Sequence, residues 1–181
     1  MKYIFDFDDV IFQTTRRRKE FIFPFLEKKG IPISELENYY KNERTKNFSL
    51  KSLLAHFSLS VELYEELMSN SMEFANKELI ELIKKLGKDN CYIVTYGENE
   101  FQLDKIKSIG VDVLFSAITT TSGQSKNEPI EKICEKHKDE TVIFVDDKIK
   151  HFEDLDMNKC PNLKTILFDE QGLDKLKLVI Q

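Results

Sequence analysis

The pattern of apolar and polar positions changes character along the chain. Lys2 to Asp8, KYIFDFD, is mostly apolar and β-prone and predicts a buried strand. From about Arg16 to Leu86 the chain reads almost wholly as helices, each with a start signal. Ser34 precedes ELENYYKNERTK with a Glu three residues on, a capping-box pattern. Ser49 precedes LKSLLAHF, Ser60 precedes VELYEELM, and Asn76 precedes KELIELIKKL, which Gly87 stops. Pro24 within FIFPFLEKK predicts a kink or a restart. From Cys91 the pattern alternates: CYIVT a strand, ENEFQLDKIKSIG a helix ending at Gly110, DVLFS a short strand, EPIEKICEKH a helix, TVIFVDD a strand, with KTILFD and LDKLKLVI finishing the chain.

Strands that alternate with helices imply a parallel sheet with right-handed crossovers. The helical stretch between the first two strands is too long for a simple crossover and reads as an insertion of about 60 residues. The expected fold is therefore α/β, a three-layer Rossmann-like parallel sheet with an inserted all-helical cap. Residues 1–14 and 76–181 would form the core, and residues 15–75 the cap. With 181 residues, 41% of them apolar, the chain can bury one core and a small appended module. A net charge of -5 gives no general attraction to a nucleic-acid polymer or an anionic membrane. Cys91, Cys134 and Cys160 are odd in number and far apart, which implies neither a disulfide framework nor a thiolate metal site. A reduced, cytoplasmic chain is expected, without a leader, since Met1 runs straight into a strand. No apolar run is long enough to span a bilayer.

In an open parallel sheet, ligands bind beyond the carboxyl ends of the strands. The first strand ends in three carboxylates, Asp6, Asp8 and Asp9. Like charges so close repel, and burying an unpaired one costs several kcal/mol, so they need neutralising partners or are needed for chemistry. The second strand ends in Thr95, Tyr96 and Gly97, another ends in Asp146 and Asp147, and a loop before a helix holds Ser125 and Lys126. Singly these are weak signals, and a second D-x-D at Asp154 and Asp156 shows how readily that pair arises. The informative feature is the ordered set: D-x-D, then Thr, then Lys, then a strand-terminal D-D.

That order resembles the haloacid dehalogenase-like superfamily, whose members are mostly Mg2+-dependent phosphatases. FDFDDV matches the first motif, IVTYG the second, the Lys126 region the third and FVDDK the fourth. QLDKIKSIGVDVLFS is similar to the family's linking helix and strand, and the helical insertion sits where its first-type cap sits. The resemblance implies that Asp6 is the nucleophile, forming an aspartyl-phosphate, and that Asp8 protonates the leaving oxygen and then deprotonates the attacking water. Two positions apart in an extended chain, the two side chains can point to one side. It implies Mg2+ held by the Asp6 carboxylate, the Asp8 backbone carbonyl and Asp147, with Asp146 a ligand through water or a partner of the ligands. Thr95 and the Tyr96 amide would bind phosphoryl oxygens, and Lys126 would bridge Asp6 and the phosphate. Lys105 and Lys132 are alternative lysines, but Lys126 precedes NEPIEKI as the family's lysine precedes its helix. Asp9 stands where the family most often has Gly, and His151 lies near where the fourth motif often carries a further acid or Asn.

The implied substrate is a small phosphorylated metabolite enclosed under the cap. A phosphomutase of the same superfamily would use the same residues. A non-catalytic module would instead recognise a partner through the cap or through Arg16, Arg17 and Arg18. That basic run reads first as an exposed helix turn and second as a clamp on a second anionic group of the substrate. His56, His137 and His151 read as surface or helix-end residues. Phe21, Phe23, Phe25, Tyr39, Tyr40, Phe48 and Phe57 read as cap core.

Overall fold

The structure is a computed structural model that describes residues 1–43, 48–122 and 125–180. Five strands, β1 (Lys2–Phe5), β2 (Cys91–Tyr96), β3 (Ala117–Thr121), β4 (Val142–Asp146) and β5 (Leu163–Leu167), form one sheet in the order β3-β2-β1-β4-β5. Every pairing is parallel. The helices are α1 (Thr14–Arg17), α2 (Phe23–Lys28), α3 (Ile33–Glu43), α4 (Leu50–His56), α5 (Leu63–Met68), α6 (Lys77–Leu86), α7 (Asn99–Ser108), α8 (Asn127–Lys136), α9 (Lys150–Glu153) and α10 (Gly172–Ile180).

Successive strand residues point to opposite faces, so the central strands feed two cores. Tyr3, Phe5, Ile93, Ile143 and Val145 pack with Leu79 and Ile83 of α6, Ile106 of α7 and Leu176 of α10. Ile4, Tyr92, Val94, Val142 and Phe144 pack with Ile130 and Cys134 of α8 and with Leu155. Helices on both faces complete the expected three layers.

Two strand expectations change. The first strand ends at Phe5, not Asp8, because Asp6 donates its amide to Val145 and the chain then turns, the Phe7 carbonyl accepting the amides of Ile11 and Phe12. The DVLFS strand is absent: Asp112–Leu114 is a 3-10 turn, and the strand is the next segment, AITTT. AITTT is an edge strand, only partly buried, so it lacks the apolar run that marks the central strands.

Helices α1 to α5 carry a third core, with Leu26, Leu36, Leu50, Leu53 and Leu67 fully buried. Phe23 is buried within it, and Phe21, Phe25, Tyr39, Tyr40, Phe48 and Phe57 pack against it. Phe101 of α7 reaches into this core, and Tyr64 donates to Asp104 at 2.5 Å, so the insert leans on α7. Pro24 restarts the helix, as expected: it stands in the first turn of α2, where an N–H is not needed. The turn before it, Arg18–Ile22, is π-helical, and the shifted hydrogen-bond ladder accommodates a residue with no N–H. Ser49 and Asn76 cap α4 and α6 by accepting the amides of Ser52 and Leu79. Gly87 ends α6 with φ 83°. Ser34 lies inside α3, where the Pro32 carbonyl takes the first amides, those of Glu35 and Leu36. Ser60 accepts the Glu62 amide and forms a turn ahead of α5. The part of the ELENYYKNERTK helix at residues 44–46 lies outside the described residues.

Candidate active site

Register brings the acids together. Phe5 of β1 is level with Val145 of β4, so the next residues, Asp6 and Asp146, are neighbours at the carboxyl edge. Lys126, at the N-cap of α8, reaches both: its Nζ lies 2.9 Å from Asp6 Oδ1 and 2.7 Å from Asp146 Oδ2. All three side chains are 3% exposed or less, so one ammonium is shared by two buried carboxylates. His151 Nδ1 lies 2.8 Å from Asp146 Oδ2, and the Lys148 amide donates to Asp146 Oδ1 at 2.9 Å.

These contacts sort the carboxylates electrostatically. Burial alone would raise Asp146, but the hydrogen bond from His151 and the charge and hydrogen bond of Lys126 outweigh it and bring its pKa down to about 2. Asp6 moves the other way: burial raises it most, Lys126 pulls it down, and Asp146 and Asp8 push it up again. Asp147 is raised to about 6, first by burial, against Lys148, with Asp6, Asp146 and Asp9 adding to the rise. Its Oδ1 is buried without a hydrogen-bond partner, and Lys148 Nζ lies 3.4 Å away.

Asp8 does not stand beside Asp6 on a strand. Its carboxylate is held by Thr14 Oγ1 and Lys105 Nζ on one oxygen and by Gln102 Nε2 at 2.8 Å on the other. Burial raises the Asp8 pKa, but Lys105, Gln102 and Thr14 together hold it below the usual carboxylate range. Asp9 has φ 58°, a left-handed conformation that glycine adopts freely and Asp tolerates better than most residues. Its carboxylate accepts the Thr15 amide at 2.8 Å and the Thr15 hydroxyl at 2.6 Å, which ties this loop to α1.

Above these groups lies a cavity of about 640 Å³ between the sheet edge and the helical insert. Asp6, Asp8, Tyr96 and Lys126 line its floor, and Arg18, Ile22, Tyr40, Phe48 and Phe101 its far wall. Thr95, Asp146 and Asp147 are not among its lining residues. Thr95 is fully buried, and its Oγ1 has no hydrogen-bond partner.

The donor set fits a divalent cation. Asp6, Asp146 and Asp147 face the buried ammonium of Lys126 and the half-exposed one of Lys148, so three carboxylates share two cations. Asp147 Oδ1, which accepts no hydrogen bond, is a hard oxygen ligand of the kind Mg2+ takes. Among the described residues, Asp6, Asp146 and His151 offer ligand atoms within 4.8 Å of one another. The Asp146 oxygens already accept from Lys126, His151 and the Lys148 amide, which favours Asp147 as the ligand and His151 as the residue that orients Asp146.

No protein-family model and no curated protein matches the chain. Solved structures do. A haloacid dehalogenase-like hydrolase from Burkholderia xenovorans LB400 superposes with a TM-score of 0.70 at 16% identity, over 94% of this chain and 86% of that one. A hydrolase from Streptococcus pneumoniae TIGR4 superposes at 0.61 and 17% identity, and the HAD-hydrolase YfnB from Bacillus subtilis, bound to magnesium, at 0.63 and 16%. Each of these two comparisons covers 99% of this chain and 97% of the other. The chain has the haloacid dehalogenase-like hydrolase fold.

On this fold the sequence-predicted residues fall at one sheet edge: Asp6, Asp8, Tyr96 and Lys126 line the cavity, and Thr95, Asp146 and Asp147 do not. Of the three candidate lysines, Lys126 bridges Asp6 and Asp146, Lys105 holds Asp8, and Lys132 is exposed beside Glu128. His151 is not a surface residue but a partner of Asp146. The basic run is not one exposed turn: Arg16 pairs outside with Glu20, Arg17 is buried and donates to the Leu67 carbonyl, and Arg18 faces the cavity with its guanidinium 3.8 Å from the centre of the Tyr40 ring. Burial lowers the Arg17 pKa to about 10. Among the described residues no helix is long and apolar enough to cross a membrane, and all three cysteines are free and buried.

Proposed function

We propose that this chain is a Mg2+-dependent phosphatase that hydrolyses a small phosphorylated metabolite through an aspartyl-phosphate on Asp6. The observation that carries the reading is the shared buried ammonium. Lys126 binds Asp6 and Asp146 at once, while Asp147 beside them keeps a buried oxygen that accepts no hydrogen bond. A carboxylate can attack a phosphoryl group only if positive charge offsets the repulsion between them. The magnesium bound by the Bacillus subtilis hydrolase of the same fold supports the same choice of ion.

Asp6 and Asp147 would hold the cation through their carboxylates and Asp8 through its backbone carbonyl. When bound, Mg2+ supplies charge neutralisation for Asp6 and for the phosphoryl oxygens. Asp6 forms a bond to phosphorus as the bond to the leaving oxygen breaks, and Asp8 delivers a proton to that oxygen. Water then attacks the aspartyl-phosphate, Asp8 takes its proton, and Asp6 returns to a carboxylate. The resting chain holds Asp8 ionised, the form the second step needs. The proton for the first step arrives with the ester, whose second pKa is about 6. Thr95 and the Tyr96 amide form the phosphate end of the site, and the helical insert acts as a cap that excludes bulk water. A cavity of about 640 Å³ with an aromatic far wall suits a small phosphorylated molecule and not a folded phosphoprotein. Three free buried thiols suit a cytoplasmic protein.

The test is phosphate release from an aryl phosphate, with and without Mg2+, for the wild type and Asp6→Asn. Mg2+-dependent turnover that falls by about three orders of magnitude or more in the variant is expected. Undiminished turnover by Asp6→Asn would remove Asp6 as the nucleophile.

A further inference from the structure

The polar face of α7 is turned into the site. Gln102 and Lys105, one turn apart, are only 3% and 2% exposed. A Gln and a Lys so deeply buried need specific partners. Lys105 Nζ meets Asp8 Oδ1, flanked by the rings of Phe7 and Phe101 at 5.6 and 4.9 Å. Gln102 Nε2 donates both its hydrogens, one to Asp8 Oδ2 at 2.8 Å and one to the Tyr96 carbonyl at 2.7 Å. Both acceptors lack a hydrogen, which fixes the orientation of the amide. The backbone makes room for it. Gly97 has φ 149°, and a Cβ there would run into the Gln102 side-chain amide.

We infer that Gln102 and Lys105 are positioning residues that fix the Asp8 carboxylate, with Gln102 also locking it to the Tyr96 loop at the phosphate end of the site. A carboxylate held on both oxygens from one helix cannot swing, and its distance from the loop beneath the phosphoryl group is set by a single amide. This rests on the phosphatase reading. It adds how the proton donor is kept in register with the phosphorus it serves.

The test uses two esters of similar size, p-nitrophenyl phosphate and benzyl phosphate. Nitrophenolate leaves without a proton, and the benzyl alkoxide does not. Because kcat/KM reports steps up to departure of the leaving group, it isolates proton delivery from later hydrolysis. Gln102→Met keeps volume and charge while removing both donors. It is expected to lower kcat/KM for benzyl phosphate by about thirtyfold or more, and for p-nitrophenyl phosphate by less than about threefold. Lys105→Met, a second variant should the first fail to fold, is expected to show the same split. Equal losses on both esters, or none on either, would overturn the inference. Crystal structures of the wild type and the variants give a readout without turnover. The Asp8 carboxylate should turn or shift relative to the Tyr96 carbonyl in the variants, and an unmoved carboxylate would also overturn it. A wild type inert towards both esters, with Asp8 displaced in the variants, would count against the phosphatase reading and leave the positioning role standing.

Discussion

Asp147→Asn should make the metal-free protein more stable while destroying its response to Mg2+. The Asp147 side chain is 19% exposed, its Oδ1 is buried without a hydrogen-bond partner, and its nearest cation, Lys148, is itself 46% exposed at 3.4 Å. The folded chain therefore holds the proton of Asp147 to about pH 6, against an ordinary value of 3.8. At about 1.4 kcal/mol for each pH unit, ionising it costs about 3 kcal/mol more in the folded chain than in the unfolded one. Its folded pKa lies above its unfolded one, so the native state binds more protons between those values. The contribution of Asp147 to stability is greatest below about pH 4, falls as pH rises to about 6 and then levels. An amide cannot ionise and escapes this cost, less the penalty of its own imperfect hydrogen bonding, which leaves a net gain of about 1–3 kcal/mol at pH 7.5.

Urea denaturation of both proteins from pH 4 to pH 8, in EDTA and in MgCl2, separates the contributions. In EDTA the advantage of the variant should be present at pH 7.5 and vanish near pH 4, a comparison in which the other titrating groups cancel. In Mg2+ at a hundredfold excess over Kd, the wild type should gain about 2.7 kcal/mol and the variant nothing. A variant less stable than the wild type in EDTA at pH 7.5, or an equal response of both proteins to Mg2+, would refute the assignment of Asp147 as the ligand.

Lys126→Met leaves Asp6 and Asp146 buried without their shared ammonium and should cost about 3–5 kcal/mol of stability in EDTA, read by the same urea titration. Arg18→Met should raise KM about tenfold for phosphate esters that carry a second anionic group and less than twofold for neutral esters of equal size, the equivalent of about 1.4 kcal/mol for one partly screened contact. Steady-state kinetics over paired esters measures the split.

The legible parts of this chain are those where sequence position and chemistry coincide. Asp6 and Asp146 follow apolar strand cores, so strand ends and carboxylates are read together, and register alone then makes them neighbours. Gln102 was not legible as a site residue, Lys105 only as an alternative to Lys126, and His151 only by its place near the fourth motif. A polar helical face turned into a wet, charged cavity has the same amphipathic pattern as one turned to solvent. Arg17 was hidden for a related reason. In a run of three arginines only helical phase decides which is buried, and the π-helical turn that follows shifts that phase. The strand AITTT gave little signal because an edge strand need not be apolar on both faces.

The charge arrangement explains why three carboxylates can crowd the end of an apolar strand. Asp8 is matched by Lys105, Gln102 and Thr14, and Asp9 by the amide and hydroxyl of Thr15, so two of the three are settled by partners within the chain. Asp6 must share Lys126 with Asp146, and Asp147 is left with Lys148, half exposed at 3.4 Å. A sequence selected only for stability would have replaced Asp147, since a neutral amide there gains about 1–3 kcal/mol. Retaining a carboxylate at the one position where the fold provides no buried partner concentrates the unmet charge beside Asp6. A divalent cation bound there acts on the carboxylate that has to approach a phosphate.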